Sequence, residues 1–300
     1  MSGDHRRRRR PTLALAAVGA LGLAGCPAAG GAEPTAAGGD RLHVVASSYP
    51  LEWLTQQVTG DRATVTSLTP PGAEPHEYEL TPADVAEVAE ADAVVHLSGL
   101  QPSVDAAVSA QVGDRAFDAA GPADLDLRYS PGHEEEHAGH EDAGAVRDPH
   151  FWHDPMRMAA VGDALAAQLG ATDPADAATS TANAAALRQR LTALDAECRT
   201  GLADAFGLHQ VGISGLAPDT EPSPGALTAA TDFVRAHGVH TVYVETLVSP
   251  AVAETVARET GAQTLQLDPI EGITDASQGR DHLEIMRADL ADLRTGQQCS

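Results

Sequence analysis

The chain has 300 residues, with 43 acids against 19 bases and a formal charge of −24 at neutral pH. Every base is an arginine; the five within residues 1–25, set against one aspartate there, leave −28 on the rest of the chain. Such a surface excludes nucleic acid as a partner and draws cations.

Arg6 to Arg10 precede an apolar run from Thr12 to Leu23, and Leu23-Ala24-Gly25-Cys26 follows. This reads as a secretory leader, residues 1–25, ending in a lipobox. The apolar run is too short for a spanning helix, which needs about 20 residues. Cleavage before Cys26 and a lipid on its thiol are expected. The protein would then sit on the outer face of the cytoplasmic membrane, held by the lipid alone. Residues 26–40 are rich in Ala, Gly and Pro and read as a flexible tether. Cys198 and Cys299 are the other cysteines. Both a bridge between them and two free thiols stay open, because pairing depends on geometry.

Strands are predicted over 42–46, 63–68, 93–97 and 115–118, with helices over 51–59 and 81–91. Thr81-Pro82-Ala83-Asp84 opens the second helix, with proline at the first position and an acid in the first turn. A helix over 154–170 follows. From Pro174 to about Ala205 runs a long helix with Leu187, Leu191, Leu194 and Cys198 as its apolar stripe. The second half alternates again: strands over 209–214, 241–244 and 263–267, helices over 223–237, 250–260 and 281–295. Strands alternating with helices indicate α/β lobes with parallel sheets. The expected organisation is an N-terminal lobe over 41–170, a linking helix over 171–205 and a C-terminal lobe over 206–300.

In open parallel sheets, ligands bind beyond the carboxyl ends of the strands. Three metal-ligand candidates meet that rule, each flanked by proline. His76 lies in Glu74-Pro75-His76-Glu77, His150 in Asp148-Pro149-His150-Phe151-Trp152, and Asp268 in Leu267-Asp268-Pro269-Ile270-Glu271-Gly272. Neutral imidazole is the commonest protein ligand for zinc. Between the lobe's last strand and His150 lies a tract over 133–142, His-Glu-Glu-Glu-His-Ala-Gly-His-Glu-Asp. It cannot pack a core but can collect cations loosely.

These motifs resemble those of the zinc/manganese family of ABC-transporter solute-binding proteins. The resemblance rests on Pro70-Pro71-Gly72-Ala73-Glu74-Pro75-His76-Glu77-Tyr78, Ser98-Gly99-Leu100-Gln101-Pro102, Asp148-Pro149-His150-Phe151-Trp152, Glu221-Pro222-Ser223-Pro224, Glu245-Thr246-Leu247 and Leu267-Asp268-Pro269, in family order. It implies two α/β lobes joined by one long helix, with His76, His150 and Asp268 holding the ion in the cleft. It also implies a mobile loop at the His/acid tract, an ABC permease as partner, and a monomer. Two imidazoles and one carboxylate suit Zn2+ better than Mn2+.

One departure stands out. The family carries a third histidine on a strand and turn after the long helix. Here a segment on the order of 15–20 residues, about one strand with its turn and part of a helix, is absent between Glu197 and His209. The second lobe therefore reads as truncated by a deletion. His209 lies at the wrong end of its strand to substitute. Glu245 and Glu221, or His137 and His140 of the tract, are the substitutes or supporting groups to consider. Three ligands and a water still make a zinc site. Two other readings compete with metal capture. One is a degenerate member serving as a metal buffer or adhesin-like surface protein. The other is a zinc hydrolase, disfavoured because no general base is obvious beyond Glu77 or Glu245; no enzymatic activity is expected.

Overall fold

The computed structural model describes residues 41–126, 128–129, 146–202 and 222–298. The leader and tether with Cys26, the tract with His137 and His140, the predicted strand over 209–214, Glu221 and Cys299 lie outside the described residues.

The first half is a parallel sheet wrapped by helices. Its elements are β1 (Leu42–Ala46), α1 (Tyr49–Thr59), β2 (Ala63–Ser67), α2 (Pro82–Glu90), β3 (Ala93–His96), α3 (Pro102–Gln111), β4 (Ala116–Asp118) and the single turn α4 (Ala120–Ala123). The strand order is β2-β1-β3-β4. The register pairs Val44 with Val65 and with Ala93, and Val95 with Phe117. The two inner strands, β1 and β3, are dry on both faces over Val44–Ala46 and Ala93–Val95, so these read as unbroken Val/Ala runs instead of alternating apolar and polar. The period-2 pleat still divides them. Val45 and Val94 pack with Val88, Val104 and Val108 of α2 and α3. Val44, Ala46 and Val95 pack with Trp53 and Leu54 of α1 and with the long helices that follow.

Those helices are α5 (Pro155–Thr172) and α6 (Ala177–Leu202). Asp154 caps α5 by accepting the amides of Met156 and Arg157. At 26 residues, α6 is about 39 Å long at 1.5 Å per residue. The predicted stripe is its buried face: Leu187, Leu191 and Leu194 are fully buried and Cys198 packs at the margin. Cys198 is half-buried and has no disulfide partner among the described residues; Cys299, with which a bridge stays open, lies outside them. The short ladder of β5 (Arg128–Tyr129) against β6 (Val146–Arg147) is antiparallel.

The second half holds α7 (Pro224–His237), β7 (Thr241–Val244), α8 (Ala251–Thr260), β8 (Gln263–Gln266) and α9 (His282–Gly296). Ser223 caps α7 through its hydroxyl, and Gly238 at φ 61° ends it. β7 and β8 pair in parallel over a small core of Val234, Val242, Ala253 and Val256. Leu283, Ile285 and Ile270 join the main core beside Leu191 and Leu194. Arg287 on α9 forks onto Glu197 of α6 at 2.9 and 3.1 Å. The described residues from 41 onward form one compact unit.

Sequence reading passed over α3, α4 and the β5–β6 ladder. α3 buries only Val104, Ala107 and Val108 among small residues, too thin a stripe to stand out. The ladder is two residues per strand, below any readable period.

Candidate metal centre

His76 sits in the connection from β2 to α2. Thr69 starts this loop by donating its hydroxyl to Ser47 O at 2.7 Å, and Gln101 donates to Thr69. Gly72 turns the chain at φ 78°, which glycine adopts without steric cost. Further on, Ser103 donates to Tyr78 O at 2.7 Å, and the capping box of Thr81 and Asp84 starts α2. The His76 amide itself donates to Glu74 Oε1 at 3.0 Å.

His150 precedes the one-turn 3-10 helix Phe151–His153. Asp148 Oδ1 accepts both its amide, at 2.9 Å, and its ring Nδ1–H, at 2.7 Å. A carboxylate on Nδ1 fixes the tautomer and leaves the Nε2 lone pair free for an ion.

The third group comes from beyond the carboxyl end of β8. Glu271 Oε1 lies 3.1 Å from His150 Nε2 and 3.5 Å from His76 Nε2, and the two imidazole nitrogens are 3.4 Å apart. Gly272 rests on the backbone of Gly72 and Ala73, which brings the two loops together. Four donors placed tetrahedrally about 2.0–2.1 Å from a zinc ion stand about 3.3–3.4 Å from one another. The three donor atoms therefore occupy three corners of a zinc-sized tetrahedron. Among the described residues this is the one group of His, Cys, Asp and Glu side chains so arranged.

Charge supports the same arrangement. Burial pushes the Glu271 carboxyl up, but the hydrogen bonds and charges of His150 and His76 outweigh it and hold the group down at about 2. Burial pulls His150 down, yet Glu271 and Asp148 outweigh that and raise it. Glu271 is thus a buried carboxylate kept ionised by imidazoles, a donor set waiting for positive charge. Glu245, just past the carboxyl end of β7, is exposed. Its carboxyl is raised first by partial loss of water and then by Glu271, while His150 pulls it down.

The acid that the structure sets against the two imidazoles is Glu271, where sequence reading expected Asp268. Asp268 turns inward and is 2 % exposed. Its Oδ1 accepts the Ile270 amide at 2.8 Å and its amide donates to Asp289 Oδ1 at 2.9 Å. An Asp two residues ahead of the amide it accepts is a turn-former. Glu271, inside the same motif, was not among the ligands or substitutes read from the sequence. His76 and His150, chosen from the sequence, do meet. Of the substitutes considered, Glu245 feels the charges of Glu271 and His150; Glu221, His137 and His140 lie outside the described residues.

An ion-sized cluster of two imidazoles and one acid, built on loops at the carboxyl ends of parallel strands, defines a metal-binding α/β protein. The chain belongs to the family of the periplasmic zinc-uptake complex component A, ZnuA, which it matches over residues 44–205 and 200–296. The two matched stretches meet near the end of α6, where sequence reading found the join shortened. The zinc-binding lipoprotein AdcA of Streptococcus pneumoniae serotype 4 is 31% identical over 315 residues, 95% of this chain and 60% of that protein. The chain therefore spans well under two thirds of that relative. The high-affinity zinc uptake system protein ZnuA of Bacillus subtilis is 32% identical over 281 residues, 85% of this chain and 88% of that one. Among solved structures, the Zn(II)-bound ZnuA-like domain of S. pneumoniae AdcA superposes with a TM-score of 0.69 at 30% identity, covering 85% of this chain and 98% of that one. The laminin-binding protein Lmb of Streptococcus agalactiae, titled a bifunctional protein with adhesin and metal transporting activity, gives 0.70 at 29% identity, with 85% and 99% covered.

Proposed function

We propose that this protein captures Zn2+ outside the cytoplasmic membrane and passes it to an ABC-type permease, as a carrier and not an enzyme. The observation that carries the reading is the trio His76 Nε2, His150 Nε2 and Glu271 Oε1 at zinc spacing. Nitrogen donors favour zinc over manganese, which prefers more oxygen. A +2 ion on two neutral imidazoles and one carboxylate keeps one positive charge, which Asp148 behind His150 offsets. The fourth corner is left to Glu245, to water, or to a group outside the described residues. The lipobox at Cys26 would anchor the carrier, as a monomer, beside its permease. Among the described residues no helix is long and apolar enough to cross a membrane.

Calorimetric titration of the purified protein with zinc tests the reading. One site is expected, weakened at least tenfold by His76→Ala, by His150→Ala and by Glu271→Ala. Parent-like binding by all three variants would place the metal elsewhere, first in the tract 133–142. Likeness to an adhesin with metal-transporting activity favours one second reading, surface adhesion. Laminin binding that is unchanged by chelation would support it.

A further inference from the structure

Ile270, the residue before Glu271, has φ 55°. Three non-glycine residues take positive φ among the described residues, and Ile270 is the β-branched one. Its Cβ branches crowd the carbonyl in this left-handed region, so the conformation is strained. Its side chain is fully buried, so the turn cannot relax by swinging into solvent. Strained backbone persists where surrounding contacts over-determine it.

Those contacts are specific. Asp268 Oδ1 accepts the Ile270 amide at 2.8 Å. The Trp152 indole N–H donates to Pro269 O at 2.9 Å. From α9, Asp289 Oδ1 accepts the Asp268 amide at 2.9 Å. Trp152 is itself held, because its carbonyl accepts from His282 Nε2 at 3.0 Å and the His282 ring stacks on Trp53 at 4.9 Å. The turn that carries Glu271 is therefore tied to the segment that carries His150, two residues before Trp152. Asp268 is an odd choice for a purely structural position. Its Oδ2 is buried with no hydrogen-bond partner among the described residues, and a half-satisfied buried carboxylate is costly. The bond that compensates is the one to the strained residue.

We propose that Asp268 is a positioning residue: with the Trp152 indole, it holds Ile270 in the left-handed conformation and so aims Glu271 at the ion, without ligating the ion itself. This rests on the reading of Glu271 as a ligand. A turn held from three sides presents one carboxylate oxygen at a set place, which suits a four-coordinate ion better than one that takes carboxylates bidentately.

The test is zinc titration of the full-length protein and of Asp268→Ala, Asp268→Asn, Trp152→Phe and Glu271→Ala, with circular dichroism to check folding. Asn keeps the Oδ1 acceptor and loses the charge. Asp268→Ala should lose about 10–100-fold in affinity, the range for groups that orient metal ligands. Asp268→Asn should stay within about threefold of the parent, and Trp152→Phe, which keeps a ring but loses the donor, should lose at least threefold. If Asp268→Asn falls as far as Asp268→Ala, the charge itself is needed, Asp268 is a ligand, and the proposal is overturned. Parent-like affinity in Asp268→Ala, or in Trp152→Phe should the alanine variant not fold, overturns it as well. If Glu271→Ala alone binds zinc like the parent, it is the ligand reading that fails, and this result separates the two.

Discussion

The Asp148–His150 pair shows how one residue sets the chemistry of its neighbour. A single oxygen takes both N–H groups of His150, at 2.9 and 2.7 Å, so ring rotation and tautomer are fixed together. Asp148→Ala should lower zinc affinity about 10–100-fold with the fold intact. Asp148→Asn, which keeps an acceptor, should fall between that variant and the parent in the same titration. Asp289 gives a second residue-scale expectation, this one for stability. Burial raises its carboxyl most; the Asp268 amide opposes this, Asp268 and Asp292 add repulsion, and the group ends at about 7. An unfolded aspartate titrates near 3.9. Between about pH 4 and 7 the native state thus holds more protons than the unfolded one, and stability falls as pH rises through that window. Asp289→Asn should raise the melting temperature at pH 8 and leave it nearly unchanged at pH 4. An equal shift at both pH values would contradict this.

At the scale of elements, α6 is the member on which the others are assembled. Leu187, Leu191 and Leu194 face α1, α5 and the core that also takes Ile270 and Leu283. Leu191→Ala should cost about 2–5 kcal/mol in denaturant unfolding, and Arg287→Ala much less, since its bond to Glu197 is an exposed pair. Most elements were legible from sequence because they follow a period. The leucine stripe of α6 and the Val/Ala runs of β1 and β3 are such cases. The cap signals at Thr81 and Ser223 marked helix starts to the residue. What escaped was short or built of small side chains, as in α3 and β5.

For the molecule as a whole, the metal centre links pH, zinc and stability. In the zinc-free protein the Glu271–His150 pair contributes in a window. The depressed carboxyl adds stability above the unfolded value near 4.3, lost as pH falls through about 2. The raised imidazole adds stability below its unfolded value near 6.5, lost as pH rises through its higher folded value. Zinc must displace the proton that His150 holds. The rise in melting temperature on adding zinc should therefore be larger at pH 7.5 than at pH 5.5, in thermal scans at equal zinc. A shift independent of pH would mean that the imidazoles do not bind the ion. At the same scale, Cys26→Ala should release the protein from the membrane fraction or block its processing; unchanged retention would exclude a lipid anchor on that thiol.

The sequence by itself determined the α/β alternation, the long apolar-striped helix and the two histidines. Each is a local pattern: a hydrophobic period, a cap, or a proline-flanked imidazole that needs no distant partner to be noticed. Only the tertiary structure decided the acid. Asp268 and Glu271 stand three positions apart in one motif, and no local rule says which carboxylate reaches His76 and His150. That choice is made by a left-handed turn at Ile270, held by Trp152 from 117 positions away and by Asp289 on α9. Backbone strain sustained by distant contacts leaves no periodic trace in the chain, and the direction of one side chain follows from it.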